Sequence, residues 1–499
     1  MAELKPSVIV IFGASGDLAH IKIFPALYSL WEEDFLPDNF FIVGFSRTKF
    51  DDGAFRKTIF DSLNVNCRKS PIGEDEFSNF SKHVFYLTSK YDDDYSYKEL
   101  GRFIESKAKE YNMSKNVAYY LSTPPSIYIS VIDGINNAKL VSNEYKGDGF
   151  SRIVIEKPFG YDYESAKELN GKILSVFKEE EVYRIDHYLG KETVQNILAF
   201  RFANAIFEPI WNNKYIDHIQ ISALESIGVG FRAGYFDKAG IIRDMMQNHM
   251  MQLLSLVAIE PPPVPDADDL RNEKVKLLKS VRSLSLNDIK NYTVRGQYDR
   301  GVVGNKDVLS YKEEEGVPPD TITETYVAIK LFIDNYRWAG VPFYLRSGKR
   351  LKTHKTEIAI YFKKLPYSLF AKVGIENIRQ NSIIITIQPN EGIAINFGAK
   401  APGFKFDIEP VNMVFKYKSS FKLSPPDAYE RLIYDVITGD QTLFARYDDM
   451  LIAWQLITSI INGWAKTERP SFPNYEAGSY GPKEADGLIS ADGRAWNNE

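Results

Sequence analysis

The densest group of side chains that could do chemistry lies near residue 187. Five residues that ionise or donate hydrogen bonds fall within eight positions: Arg184, Asp186, His187, Tyr188 and Lys191. Neighbours in an extended segment point to opposite sides, so Asp186 and His187 are expected to serve different roles. His187, Tyr188 and Lys191 lead into a helix predicted to begin near Gly190. Donors beside a helix amino terminus indicate a phosphate site, and the alternative is a loop with an incidental salt bridge.

A histidine further along the chain is a candidate general base. His249 lies on the apolar face of a helix predicted over residues 240–258. A histidine on such a face is more often a core residue, so a catalytic role requires an acidic partner. Within an α-helix Asp244 would lie roughly 140° away around the axis, which leaves Asp186 as the better partner. An Asp–His pair is a common general-base arrangement, because the acid orients the imidazole and fixes its tautomer.

A glycine-rich turn, Gly13-Ala14-Ser15-Gly16-Asp17, separates the first predicted strand from the first predicted helix. Small residues let the backbone approach a diphosphate, and the helix start supplies free N–H groups. The alternative is a tight turn without a ligand.

The second predicted strand ends without the acid typical of NAD sites, and Arg47 there suits a 2′-phosphate. An exposed surface arginine is the alternative; together with the turn, Arg47 favours NADP.

Lys157 closes another predicted strand, in Glu156-Lys157-Pro158. Proline biases the preceding residue toward an extended conformation. The lysine is therefore expected at the carboxyl edge of a parallel sheet, where open α/β sheets bind ligands. A solvated lysine at a strand end is the alternative.

Alternating apolar runs and helical patterns predict the elements that position these residues. Buried strands are expected at 7–12, 40–45, 84–87, 117–121 and 152–156, with helices between them. This order predicts a parallel sheet covered by helices on both faces. Strands predicted at 327–333, 357–363, 382–388, 392–397 and 411–417 indicate a large, mostly antiparallel sheet. The fold class is therefore α/β followed by α+β, with domains over residues 1–185 and 186–499.

Composition excludes several classes of protein. The chain has 499 residues, 44% of them apolar, and a net charge of −5. That charge provides no general attraction to nucleic acids or anionic membranes. One cysteine, Cys67, excludes an internal disulfide and a multi-cysteine metal site. We expect no signal peptide, because a strand begins at residue 7, and no membrane span. The expected location is the cytoplasm.

Together these segments resemble the glucose-6-phosphate dehydrogenase family over nearly the whole chain. The resemblance is carried by the glycine-rich turn, the Glu156–Gly160 strand end, the Arg184–Lys191 segment, Arg201–Asn204, Arg243–His249, Val294–Tyr298, Arg346–Lys349 and Gly481–Asp486. It implies a Rossmann-like NADP-binding domain followed by a domain for substrate binding and oligomerisation, as a homodimer or homotetramer. The implied reaction is oxidation of glucose 6-phosphate by NADP+, the first step of the pentose phosphate pathway, without a metal.

The resemblance also implies roles for individual residues. His249 would be the general base, and Asp186 would orient it. Lys157, His187, Tyr188 and Lys191 would hold the 6-phosphate, while Glu225, Asp244 and Lys349 would bind sugar hydroxyls. Lys22 would lie near the reacting centre. The coenzyme side would use Gly13, Ser15, Gly16, Asp17, Arg47, Tyr128 and Lys157.

Two positions depart from the family pattern. His354 stands where a second basic residue often follows the Gly-Lys motif, and Tyr480 replaces an arginine of a second, structural NADP site, which is therefore not expected. Two other functions stay open at this point. One is a non-catalytic NADP or sugar-phosphate sensor on the same fold, and the other is a dehydrogenase of a different hexose 6-phosphate.

Overall fold

In the computed structural model of the chain, a six-stranded parallel sheet forms the centre of one compact unit. The structure describes residues 4–141, 149–367, 369–370, 378–404, 406–421 and 425–498. This first unit comprises Met1–Lys191, Val264–Arg271 and Pro426–Leu451. Its strands are β1 Ser7–Phe12, β2 Phe40–Ser46, β3 Val84–Thr88, β4 Val117–Leu121, β5 Ser151–Ile155 and β6 Val182–Arg184.

The strand order of this sheet is β3-β2-β1-β4-β5-β6. The chain runs from β1 through β2 to β3, then returns to the other side of β1 with β4. The order therefore reverses between β1 and β4, where doubly wound sheets open a crevice at their carboxyl edge. Every residue of β1, β2 and β4 is buried, as expected for strands with helices on both faces. The predicted parallel sheet is confirmed.

Helices lie between the strands of the six-stranded sheet, as the alternating pattern predicts. They are a π-helical turn Ala19–Ile23, the α-helices Phe24–Glu32, Asp52–Asn66, Glu74–Ser81, Asp94–Glu110, Tyr128–Asn137 and Tyr163–Leu174, and 3-10 turns at Pro125–Ile127 and Glu179–Glu181. The unit also holds a helix from much later in the chain, Ala428–Thr438, which packs against Phe24–Glu32. The predicted domain boundary at residue 185 stays a prediction, since these compact units are not continuous in sequence.

The second compact unit comprises Glu192–Pro263, Asn272–Pro425 and Ile452–Glu499. Its strands are β7 Ile216–Leu224, β8 Thr293–Gly296, β9 Tyr298–Asp299, β10 Gly301–Val303, β11 Lys306–Val308, β12 Tyr326–Phe332, β13 Pro342–Gly348, β14 Lys355–Phe362, β15 Ser382–Gln388, β16 Gly392–Lys400, β17 Ile408–Lys416 and β18 Tyr475–Glu476. Eight of them form one sheet in the order β17-β16-β15-β14-β7-β13-β12-β8.

Six of the seven neighbouring pairs in this sheet are antiparallel, and only β7 and β13 run parallel. The predicted large, mostly antiparallel sheet is confirmed. Both strands of the parallel pair are almost wholly buried. They occupy the middle of the sheet, and neither was among the strands predicted.

The helices that follow Lys191 in the chain are, besides Ala428–Thr438, Glu192–Phe202, Ala233–Ile241, the π-helix Ile242–Met250, Met251–Ala258, Ala267–Lys279, Leu286–Tyr292, Tyr417–Phe421, Tyr447–Ala465 and Lys483–Ser490, with 3-10 turns at Glu208–Ile210, Gly230–Arg232 and Tyr311–Glu313. No helix in the described part of the chain has the length and apolarity to cross a bilayer.

Buried side chains bind the end of the helix Met251–Ala258. The indole N–H groups of Trp211 and Trp338 donate to the carbonyls of Val257 and Ala258 at 2.8 and 2.7 Å. The last carbonyls of a helix lack partners within it, so these buried donors supply them. The segment that leads into this helix, and carries His249, is thereby tied to the core of the second unit.

Candidate active site

The glycine-rich turn follows β1 at the point where the strand order reverses. Gly13 donates its N–H to the Phe45 carbonyl at 2.9 Å, and the Gly16 N–H donates back to the Gly13 carbonyl at 2.9 Å. Gly13 has a φ of 82°, and a Cβ there would overlap the carbonyl oxygen of Ser122, which follows β4. Only glycine meets both demands. The helical backbone then begins at Asp17, which is exposed.

Hydroxyl groups connect this turn to the end of β2. The Ser15 hydroxyl lies 2.8 Å from the hydroxyls of both Ser46 and Thr48. Arg47 lies between these two residues in sequence and is exposed. Its guanidinium is 5.8 Å from the centre of the Tyr91 ring, a cation–π distance that orients the planar group. The turn and the arginine, predicted separately, therefore lie at the carboxyl ends of adjacent strands.

The end of β5 presents Lys157 beside a buried acid. Glu156 is buried, and its carboxylate accepts a hydrogen bond from the Tyr120 hydroxyl at 2.6 Å. Burial raises the pKa of Glu156 to about 7. The Tyr128 hydroxyl donates to the Glu156 carbonyl at 2.9 Å, and the Tyr128 side chain is itself buried. Tyr128, predicted on the coenzyme side, thus packs under the strand end that carries Lys157.

The segment that follows β6 forms a compact turn. The Asp186 carboxylate accepts the N–H of Tyr188 at 3.0 Å, and the Leu189 N–H donates to the Asp186 carbonyl at 2.9 Å. The His187 ring lies 5.1 Å from the Tyr188 ring. The Lys191 ammonium lies 5.5 Å from the Tyr188 ring centre. The structure therefore places His187 and Lys191, two of the predicted phosphate-binding residues, beside Tyr188. The helix expected near Gly190 begins at Glu192.

Lys22 has a partner from the late helix of the first unit. Its ammonium lies 2.9 Å from the Asp427 carboxylate, and both side chains are about two-fifths exposed, at 42% and 40%. Asp427 also accepts the N–H of Tyr429, so it caps the helix Ala428–Thr438. The Tyr429 ring lies parallel to the His187 ring at 6.5 Å. The late segment thus contributes Asp427 and Tyr429 to the surroundings of residues predicted from the first half of the chain.

Three predicted hydroxyl-binding residues meet in the second unit. Glu225 follows β7 and Lys349 follows β13, and the register pairs Leu224 with Gly348. The carboxyl ends of this parallel pair therefore lie side by side. The Lys349 ammonium forms an ion pair with Glu225 and lies 3.8 Å from the Asp244 carboxylate. Lys349 and Asp244 are buried, and Glu225 is half-buried.

Asp244 and His249 lie on a π-helix, which corrects the prediction of one continuous α-helix over residues 240–258. Gly240, with φ 67° and ψ 166°, interrupts the helical backbone, and the π-helix runs over Ile242–Met250. A π-helix bonds residue i to residue i+5. Residues five positions apart therefore lie along the same side, so Asp244 and His249 are not separated by the roughly 140° of an α-helix. His249 is fully buried.

Several residues of these clusters carry no recognisable signal in the sequence. Tyr120 lies in a buried apolar strand, and Tyr429 lies on a helix with ordinary apolar periodicity. Thr48 follows Arg47 in a polar stretch and resembles any loop threonine. Their participation depends on contacts with residues that are distant in sequence, from 33 positions for Thr48 and Ser15 and 36 for Tyr120 and Glu156 to the much longer separation of Tyr429 from His187. Only the capping position of Asp427, before an apolar helical pattern, had a local signature.

The first unit has the features of a dinucleotide-binding site. A glycine turn without room for a Cβ leads into a helix start, hydroxyls lie beside it, and an arginine follows β2 in place of an acid. These donors fit a diphosphate and a 2′-phosphate. In the second unit, Lys349 lies beside the carboxylates of Glu225 and Asp244. This cluster suits the hydroxyl groups of a sugar, because it both donates and accepts hydrogen bonds. The pairing of Asp186 with His249 stays a prediction.

Comparisons with known proteins cover the chain from residue 10 onward. The sequence model of the glucose-6-phosphate dehydrogenase NAD binding domain matches residues 10–196, and that of the C-terminal domain matches residues 198–497. Glucose-6-phosphate 1-dehydrogenase of Chlamydia pneumoniae is 47% identical, over 98% of this chain and 96% of the relative. The enzyme of the same name from Bacillus subtilis is 41% identical, over 99% and 98%.

Solved structures agree with these matches. A glucose-6-phosphate dehydrogenase in complex with its substrate glucose 6-phosphate is 36% identical, with a TM-score of 0.90 and full coverage of both chains. A glucose-6-phosphate 1-dehydrogenase from Mycobacterium avium is 30% identical, with a TM-score of 0.85 and coverage of 100% and 99%. The resemblance expected from the motifs is confirmed, and the chain belongs to the glucose-6-phosphate dehydrogenase family.

Proposed function

We propose that this protein oxidises D-glucose 6-phosphate to 6-phospho-D-glucono-1,5-lactone with NADP+ as coenzyme, the first step of the pentose phosphate pathway. The observation that carries the proposal is the full-length match to a solved family member in complex with glucose 6-phosphate. Two features of the local geometry support it: Lys191 and His187 lie beside Tyr188 in the first unit, and Glu225, Asp244 and Lys349, named here the hydroxyl-binding cluster for their proposed role, meet in the second.

The coenzyme would be held at the carboxyl edge of the six-stranded sheet. Gly13, Gly16 and Ser15 would bind the diphosphate through the turn and the helix start, with Asp17 at the first helical position. Arg47 would bind the 2′-phosphate. Lys157 would reach the coenzyme from the end of β5, and Tyr128 would support that strand end from below. When bound, NADP+ supplies the acceptor for the hydride that leaves C1 of the sugar.

The 6-phosphate would be bound by the cluster around Tyr188. Lys191, His187 and Lys157 provide positive charge or N–H donors, and Tyr188 provides a hydroxyl. The phosphate carries two negative charges, so cations and hydrogen-bond donors bind it favourably, whereas carboxylates would repel it. Lys22 would lie nearer the reacting centre, with its charge held by Asp427.

The sugar hydroxyls would be bound by Glu225, Asp244 and Lys349. A site built from buried polar groups rejects an analogue that lacks the matching hydroxyl, because the protein groups are then left without partners. This cluster would therefore determine which hexose 6-phosphate is accepted.

His249 would act as the general base that takes the proton from the C1 hydroxyl. We propose that Asp186 orients the imidazole of His249 and stabilises its protonated form, which is the usual task of the acid in an Asp–His pair. Transfer of the proton from the C1 hydroxyl to the imidazole makes the loss of the C1 hydride favourable.

The proposal is tested by mixing the purified protein with glucose 6-phosphate and NADP+ and following NADPH absorbance. In His249→Asn, kcat should fall about 10²- to 10⁴-fold, the usual contribution of a general base, while the KM for glucose 6-phosphate changes little. The matched control is His218→Asn. His218 is also buried in the second unit and bonded to an acid, Asp217, at 2.7 Å. Similar kcat values in the two variants would refute the assignment, and no NADPH from the wild type would refute the function.

We further propose that the enzyme acts in the cytoplasm as a homodimer or homotetramer. Exposed apolar residues on the outer strands β16 and β17, namely Phe397, Met413 and Val414, support association through this part of the sheet. Light scattering on the purified protein measures the number of subunits directly.

A further inference from the structure

Residues 321–325 form a loop that binds the helix preceding the π-helix. The Thr321 hydroxyl donates to the Asp237 carboxylate at 2.6 Å. The Thr323 hydroxyl donates to the Asp237 carbonyl at 2.7 Å. Asp237 lies in the helix Ala233–Ile241, so the loop is attached to that helix just before Gly240 interrupts it.

The next residue of the loop, Glu324, binds the first amides after the interruption. Its carbonyl accepts the N–H of Ile241 at 3.0 Å, and its carboxylate oxygen Oε1 accepts the N–H of Ile242 at 3.3 Å. Amides at the start of a helical segment lack partners within it, and Glu324 supplies both here. A Cβ on Gly240 would overlap Oε1 of Glu324, so the glycine provides the space as well as the backbone conformation.

Thr325 binds the other side of the hydroxyl-binding cluster. Its carbonyl accepts the N–H of Lys349 at 2.9 Å. Its own N–H donates to the Gly296 carbonyl at 2.8 Å, which fixes the loop to β8. Two consecutive loop residues therefore bind both parts of the cluster. Glu324 binds the start of the segment that carries Asp244, and Thr325 binds the backbone of Lys349.

We propose that Glu324 is a positioning residue that holds the start of the π-helix Ile242–Met250 and thereby sets the position of Asp244 relative to Lys349. The separation of those two side chains, 3.8 Å, depends on how the π-helix begins, since Asp244 is its third residue. This inference rests on the proposed function, because it assigns Glu324 a role in binding the sugar hydroxyls.

The surroundings of Glu324 show what the side chain must provide. Glu324 is buried, and the charged groups near it are Arg243, on the π-helix, and Arg295, on β8. Burial raises the pKa of Glu324 above its ordinary value. Oε1 accepts a hydrogen bond in either protonation state, so the role depends on the reach of the oxygen rather than on its charge. A glutamine retains an oxygen at the position of Oε1. An aspartate retains the carboxylate, but its side chain is one methylene too short to reach the Ile242 N–H.

The test compares Glu324→Gln with Glu324→Asp. We expect Glu324→Gln to bind glucose 6-phosphate, measured by calorimetry without coenzyme, within about twofold of the wild type. Glu324→Asp should bind it about tenfold more weakly, a difference of about 1.4 kcal/mol, because the shorter side chain no longer caps the start of the π-helix. In steady-state assays the KM for glucose 6-phosphate should follow the same order, while the KM for NADP+ stays constant. A general loss of structure would alter both KM values.

Glu357→Asp is the matched control, because Glu357, on β14, is another buried acid of the second unit and is paired with Lys355 and with the Asn497 side chain. It should leave both KM values unchanged. The inference is overturned if Glu324→Gln loses tenfold or more, or if an active, folded Glu324→Asp binds glucose 6-phosphate like the wild type. Should Glu324→Asp fail to fold, a loss of tenfold or more in Glu324→Gln still overturns the inference. An inactive wild type would instead contradict the proposed function.

Discussion

The two clusters of polar residues differ in charge and in how they are built. Around Tyr188 in the first unit lie Lys191 and His187, which can donate hydrogen bonds, in the segment that follows the parallel strand β6. In the second unit Lys349 lies between two acids, and the cluster comes from one parallel strand pair and a π-helix. The first set suits a phosphate and the second suits hydroxyl groups.

What the two clusters share is the carboxyl end of parallel strands. In an antiparallel pair, the carboxyl ends lie at opposite edges of a sheet, so residues that follow the two strands cannot meet. Among the described strands of the large sheet, the one parallel pair, β7 with β13, is the pair whose ends carry Glu225 and Lys349. One change of strand direction inside a mostly antiparallel sheet thus brings together residues that are 124 positions apart.

The largest effect on kcat/KM in this comparison is expected from removing the cation of the second cluster. Lys349→Met leaves Glu225 and Asp244 without their cation, and breaking a buried ion pair costs about 3–5 kcal/mol. We expect kcat/KM for glucose 6-phosphate to fall roughly a thousandfold. Lys330→Met is the control, since Lys330 is buried in the same sheet and paired with Asp492. Equal kcat/KM values in the two variants would show that the cluster does not bind substrate.

The cationic character of the first cluster predicts a selective loss. Lys191→Ala should raise the KM for glucose 6-phosphate roughly tenfold to a hundredfold, since a hydrogen bond to a charged group is worth about 1.5–3 kcal/mol. With glucose, which lacks the phosphate, kcat/KM should stay the same. Lys178→Ala, at a lysine that is 67% exposed, controls for lost surface charge. An equal loss with both sugars would assign Lys191 to something other than the phosphate.

The variant Arg47→Ala tests the proposed coenzyme site of the first unit. The variant should raise the KM for NADP+ about tenfold or more, because one charged partner of the 2′-phosphate is lost. The KM for NAD+, which lacks that phosphate, should change little. Kinetics with both coenzymes measure the ratio, and an unchanged ratio would show that Arg47 does not select NADP.

The smallest expected effect concerns the pH dependence of stability. Burial raises the pKa of Glu156 from 4.5 to about 7, so between these values the folded chain binds a proton that the unfolded chain has released. Stability should therefore fall as pH rises from about 4.5 to 7. Glu156→Gln removes this contribution, which is on the order of 1–3 kcal/mol.

Urea unfolding of both proteins between pH 5 and 8 measures the contribution of Glu156. Burial also raises the pKa of Asp435 to about 7, so both proteins should lose stability over this range. The difference between the two curves isolates Glu156. A constant difference across the range would contradict the raised pKa.

Much of the fold followed from local patterns. The apolar runs at 7–12 and 117–121 coincide with β1 and β4, because a strand buried on both faces leaves a continuous apolar signal. Strands β7 and β13 were missed although they are central. Polar and charged residues such as His218, Gln220 and Arg346 interrupt their apolar pattern. Gln220 and Arg346 form hydrogen bonds to the segment 495–498, and His218 is bonded to Gln220 and Asp217. Such long-range partners leave no periodic trace.

Local sequence was enough to identify several residues that could do chemistry: a glycine turn before a helix, an arginine after β2, a dense polar segment near residue 187 and a histidine on a helix. These are local properties, set by spacing and side-chain type. Which groups those residues contact depends on the three-dimensional fold. It joined Glu225 to Lys349 through a parallel strand pair, turned Asp244 and His249 to one side of a π-helix and placed Asp427 beside Lys22. These depend on strand direction, on the backbone at Gly240 and on contacts between distant segments, which no short window of sequence contains.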